Sequence, residues 1–93
     1  MSIENANTFL VGDIVQSQKG RDEGCYYVVC STDKDYAYCV NGKSRLVINP
    51  KKKKFKHILF TGHRSSELQK KFNEHQKVLD SEIRKTIDNL NIV

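Results

Sequence analysis

Cysteine is scarce in this chain and odd in number. The positions of Cys25, Cys30 and Cys39 match neither the paired cysteines of a zinc knuckle nor a CxxC redox site. They read as reduced small hydrophobes carried on strands, and no metal or cofactor is expected. Long apolar runs are missing as well: no 18 apolar residues stand together, and "MSIENANTFLVG" has neither the basic start nor the apolar stretch of a secretion signal. The expectation is a cytoplasmic protein without membrane association. Catalytic signatures are a third absence. Three Cys and three His could supply two members of a triad, but no local motif selects any of them, so a non-enzyme is expected.

Acid is the last shortage, and it is regional. Residues 1–35 hold three Lys/Arg and six Asp/Glu, residues 36–66 hold eight and none, and residues 67–93 hold five and five. The net charge of +5 therefore sits in the middle third. Such a one-sided field draws polyanions over a Debye length of roughly 8 to 10 Å at ordinary salt. A 93-residue chain suits one domain with little core to spare for an enclosed site. Eight aromatics and a 38% hydrophobic fraction argue that it folds.

What is present divides into a β part and a helical part. "FLVGDIVQS" (9–17) and "CYYVVC" (25–30) read as strands, the second covered on both faces, with "QKGRDEG" as the turn between them. "YAYCV" (36–40) follows the turn "STDKD". It meets Asn41-Gly42, the signature of a type I′ hairpin, from which "SRLVI" (44–48) pairs back. Pro50 ends that strand, Lys51–Lys54 form or flank a loop, and "KHILF" (56–60) is the fifth strand. Five short strands with tight turns predict a mainly β fold built as a small closed barrel over 9–62, behind a flexible N-terminus at 1–8.

After Gly62 the period changes. Leu68, Phe72, Leu79, Ile83, Ile87 and Leu90 place one apolar stripe on an amphipathic helix of some 24 residues, within a C-terminal extension over 63–93. Ser66 and Gln69 have capping-box spacing at its start, and Glu67–Lys71 and Asp80–Arg84 are acid-before-base pairs at i,i+4. The stripe either caps the barrel or docks a partner.

"VGDIVQSQKGRDEGCYYVVC" resembles a KOW motif, a strand leading through Lys19, Gly20 and Gly24 into a second apolar strand. "DYAYCVNGKSRLVINPKKKKFKHI" resembles the continuation in bacterial KOW-domain RNA-binding proteins, relatives of archaeal and eukaryotic large-subunit ribosomal proteins. The resemblance covers residues 11–60 and implies an SH3-like barrel and association with ribosomal RNA or the large ribosomal subunit, as a constituent or an assembly protein. Cys25 departs from the polar or basic residue expected after the second glycine, and the helix lies outside the resemblance.

A lysine loop at Lys51, Lys52, Lys53 and Lys54, with Lys43 and Arg45 across the hairpin and Lys56 at the strand entrance, would gather cations for phosphate, and His57 beside Lys56 either donates to phosphate when protonated or ends the strand. Lys19 and Arg21 add to it from the KOW-like loop, where Arg21 has Asp22 and Glu23 as competing partners. Phe55 either stacks on a base or packs in the barrel. One aromatic and no acyl site weigh against a polybasic membrane segment. The expectation is a monomeric RNA-binding module. The alternative is a protein-interaction module using the barrel and the helix.

Overall fold

The computed structural model describes residues 8–90; the expected flexible N-terminus lies outside them but for Thr8. Five antiparallel strands, β1 (Asp13–Ser17), β2 (Tyr26–Asp33), β3 (Tyr36–Val40), β4 (Lys51–Lys54) and β5 (Ile58–Arg64), lie in the order β4-β3-β2-β1-β5. A 3-10 turn at Phe55–His57 joins β4 to β5, and two helices follow, α1 (Ser66–Asn73) and α2 (Asp80–Asp88). The protein is thus mainly β. The sheet is open rather than a closed barrel, because β4 and β5 form its two edges and are not paired with each other.

Period-2 alternation in β1, β2 and β3 gives this sheet two apolar faces. Val15, Tyr27, Val29, Ala37 and Cys39 cluster with Phe9 and Ile58 on one face, and Phe55 packs against them with its ring 5.2 Å from that of Phe9. Ile14, Val28 and Val40 point the other way, onto Leu68, Val78 and Ile83. "CYYVVC" is therefore covered on both faces, as a short continuous apolar run requires. Except for Leu79, the apolar stripe of the C-terminal region is spent on the second face of the sheet.

The expected 24-residue helix is two helices. A straight helix of that length would run about 36 Å, whereas the longest strand, eight residues, spans about 26 Å. Only part of such a rod could cover the sheet. The chain instead breaks after Asn73, with His75 at φ +58°, and each half starts afresh. Ser65, one residue before the expected cap, accepts from the Leu68 N–H at 3.1 Å, and the Glu82 carboxylate accepts from the Leu79 N–H at 3.0 Å. Lys71 Nζ lies 2.6 Å from Glu82 and 3.8 Å from Glu67, so the predicted Glu67 pair forms and a stronger one ties the helices together.

The other predicted pair does not form, because both partners hold the chain between β3 and β4. Asp80 Oδ1 accepts from Val47 N–H at 2.8 Å, and Arg84 Nη1 donates to the Gly42 carbonyl at 2.6 Å. Asn41 Oδ1 accepts from the Lys43 and Arg45 N–H groups, both at 2.9 Å, which rolls the Asn41-Gly42 corner into a wider loop. "SRLVI" is accordingly loop and not the fourth strand, with Ile48 exposed at its tip. Gly42 lets α2 come this close: at φ +76° it lacks a Cβ that would meet the Asp80 carbonyl at 2.5 Å.

Ile83 and Leu79 separate the burial of this stripe from its periodicity. Ile83 is 0% exposed and Leu79 is 49% exposed at the N-cap of α2. Ile83→Asp should cost several kcal/mol by burying an unpaired charge. Leu79→Ser should stabilise by about 1 kcal/mol, since it adds a side-chain acceptor at a cap that has none. Thermal melting of the two variants checks both signs.

Candidate functional site

The lysine run is a strand, not a solvated loop, and strand geometry sorts its members. In β4, Lys51 stands opposite Cys39, Lys52 opposite Tyr38, Lys53 opposite Ala37 and Lys54 opposite Tyr36. Residues paired across a ladder share a face. Lys51 and Lys53 therefore turn to the side of the buried Cys39 and Ala37, and Lys52 and Lys54 turn outward beside two tyrosines.

Lys53 is only 7% exposed. An ammonium can sit there because each of its three N–H bonds has a partner: Ser17 Oγ at 2.9 Å, the Lys19 carbonyl at 3.0 Å and Asp22 Oδ1 at 3.0 Å. Asp22 is as fully engaged. Its Oδ1 also accepts from Ser17 Oγ at 2.9 Å, and its Oδ2 accepts from the Tyr27 hydroxyl at 2.6 Å and lies 3.4 Å from Lys51 Nζ. Burial pushes the Asp22 carboxyl up. The hydrogen bonds from Tyr27, Lys53 and Ser17, with the Lys53 charge, outweigh that and hold it well below its usual value of 3.8. The network ties the β1–β2 loop to β4 by side chains, across the region where the sheet has no ladder.

The outward face has a different composition. Lys52 Nζ stands 4.3 Å from the centroid of the Tyr36 ring, a cation–π contact, and Tyr36 and Tyr38 are both half-buried. Lys52, Lys54 and Lys56 are exposed, and a shallow groove of about 430 Å³ runs past Lys52, Lys54 and His57 to Lys19 in the β1–β2 loop, with Asp22, Lys51 and Lys53 also in its lining and Lys56 outside it. His57 is held below the usual histidine value, first by partial desolvation and then by the charges of Lys19, Lys56, Lys54 and Lys53. That direction disfavours the protonated form in which His57 would donate to phosphate.

Other predicted residues lie elsewhere. Lys43 lines a separate hollow of about 210 Å³ with Cys25, Tyr26 and Arg84, against α2, and is not across a hairpin from the lysines. Arg45 is half-buried in the loop, where its carbonyl accepts from the Asn41 and Gly42 N–H groups. Arg21 is exposed and makes no ion pair among the described residues; its expected partner Asp22 is taken by Lys51 and Lys53. Cys39 is buried on β3, Cys30 half-buried on β2 and Cys25 exposed ahead of β2. Burial pushes the Cys39 thiol up to about 12 and the Cys30 thiol up to about 11, so neither is a thiolate at neutral pH. Sequence reasoning missed Asp22, Ser17, Tyr36 and Tyr38; a Tyr-x-Tyr facing a Lys-x-Lys was a visible signal, but only once the lysines are read as a strand. No protein-family model matches the chain, and no curated protein matches it in sequence.

The Asp22 network has a definite pH signature. Because the folded carboxyl is held below its unfolded value, its contribution is complete above about pH 5 and is lost as the pH falls below about 4. Asp22→Asn should cost about 3 kcal/mol or more at pH 7, by leaving the Lys53 charge buried without a carboxylate, and should flatten that acid limb. Urea midpoints measured from pH 3 to pH 7 check both effects.

Proposed function

We propose that the protein is a non-catalytic RNA-binding module that holds structured RNA, and ribosomal RNA in particular, against the outward face of β4. The observation that carries this reading is the sorting of the lysine run. Lys52 and Lys54 are exposed, spaced by the strand repeat and interleaved with Tyr36 and Tyr38, while Lys19 shares their groove and Lys56 borders the hollow next to Lys54. Flexible ammonium groups suit phosphates, aromatic rings suit unstacked bases, and together they suit RNA read by shape and backbone. The KOW resemblance at residues 11–60 supports the same reading and makes the protein a cytoplasmic ribosome-associated or ribosome-assembly factor, monomeric away from the ribosome. An SH3-like, KOW-type ancestry of the sheet belongs to this proposal. Its support is the resemblance together with the strand order and the 3-10 turn before β5. Among the described residues no helix is long and apolar enough to cross a membrane.

A second reading rests on β5. Leu59 and Phe60 are exposed and border a hollow of about 410 Å³ with Tyr26 and Leu90, a surface better suited to protein than to phosphate. Of the helical stripe only its end, Leu90, reaches that surface, because Leu68 and Ile83 are buried against the sheet.

Four exposed lysines near the groove set the size of the electrostatic effect. With about 0.7 to 0.9 counterions released per contact, binding to structured RNA should fall with a log-log salt slope of about −3. Replacing Lys52 and Lys54 by Gln should reduce that slope by about 1.5, weaken all RNA sequences alike and leave the melting temperature unchanged. Filter binding across a salt series decides it; a slope near zero, or a double variant that binds as well as the parent, favours the β5 protein surface instead.

Binding should also be coupled to His57. Phosphates that neutralise Lys19, Lys54 and Lys56 remove part of what holds its pKa down, so RNA raises that pKa and affinity increases as the pH falls from 7.5 to 5.5. The His57 ring resonances should titrate at higher pH in the complex than in the free protein, and His57→Gln should remove the corresponding part of the pH dependence.

A further inference from the structure

We propose that the hollow between the β2–β3 turn and the 3-10 turn is a guanine pocket, which takes the base of an unpaired guanosine in the RNA held by β4. The hollow measures about 330 Å³ and is lined by Asp35, Tyr36, Lys54, Phe55 and Lys56, near the lower end of the range of roughly 300 to 1,000 Å³ for small-ligand sites. Its position is fixed by the backbone: the Asp35 carbonyl accepts from Phe55 N–H at 2.8 Å, which clamps the turn to the end of β4, and Phe55 is anchored on Phe9.

The chemistry of the lining selects the ligand. Among the described residues the Asp35 carboxylate makes no hydrogen bond or ion pair, although Lys54 and Lys56 border the same hollow. Phosphate alone is a poor occupant, since that carboxylate repels it. The fitting group carries N–H donors for Asp35, a flat face for Tyr36 and a phosphate within the field of the lysines, which describes a nucleotide. Tyr36 lines both this hollow and the lysine groove, with Lys52 over its ring, so a base stacked on it leaves its phosphate beside β4. Guanine is singled out by its edge. Its N1–H and N2–H₂ point the same way and match the two oxygens of a carboxylate, whereas adenine, cytosine and uracil each offer one such donor position beside acceptors.

This inference rests on the RNA reading, and its test separates the two. The full chain is titrated, by fluorescence anisotropy, against three RNA hairpins with uridine loops that differ only in one central nucleotide, guanosine, inosine or adenosine. Inosine keeps N1–H and lacks the N2 amine. The expected order is guanosine over inosine over adenosine, with guanosine ahead of adenosine by on the order of tenfold. Asp35→Asn should abolish the preference of guanosine over adenosine. The adenosine hairpin should bind no more weakly than before, since a charge that repels phosphate is gone, and the melting temperature should stay unchanged, because the side chain has no bond in the fold to lose. Equal affinity for the three hairpins, or a guanosine preference that survives Asp35→Asn, overturns the guanine pocket and leaves the RNA reading standing. No salt-sensitive binding to any of the three overturns both.

Discussion

A buried lysine governs the placement of the others. Lys53 enters the interior beside Ala37 and Cys39, where an unpaired ammonium would be prohibitive, and it is tolerated there because Ser17, the Lys19 carbonyl and Asp22 take its three protons. A slip of β4 by one residue would put an identical lysine beside Asp22, so the acceptor site itself does not choose among the four. The register is held at the flank that differs in kind, where Phe55 packs on Phe9 and its N–H is taken by the Asp35 carbonyl. With Lys53 held inside, the alternation of the strand turns Lys52 and Lys54 outward, and any phosphate chemistry starts from there.

The two helices secure the same strand from the other side of the sheet. Ile83 and Leu68 bury Val28, Val40 and Ile14, while Asp80 and Arg84 at the start of α2 hold Val47 and Gly42 in the loop that feeds β4. The lysine strand has weak intrinsic strand propensity. It is held at its start by this loop, at its end by the Asp35 carbonyl, and along its inner face by Asp22. Stability and site are therefore not separable modules here: a cavity under α2 would loosen the segment that delivers Lys51 to its place.

The strands that alternate or run apolar, at 13–17, 25–30 and 36–40, were legible because side-chain period and burial agree in them. β4 was not, because four lysines have no hydrophobic period to read, while "SRLVI" has one and is diverted by side chains far away in sequence, Asp80 above all. The helical stripe was legible as burial and misread as one rod, since periodicity does not register how long a surface there is to cover. Of the candidate site, the concentration of charge was visible in the acid-free stretch 36–66. The division of that charge into an internal pair and an external pair was hidden, because it depends on Asp22, which is near in space and about thirty residues away in sequence.

β4 is also an edge of the sheet, and its outer rim presents main-chain N–H and C=O groups that no other strand among the described residues completes. Such rims invite another molecule's strand, and the ordinary defence is like charge, which makes a second lysine-bearing edge repel the first. Acylation of Lys52 and Lys54 would remove that repulsion while leaving the rim intact. A chemistry that silences these lysines toward phosphate would by the same stroke expose the protein to self-association through its sheet.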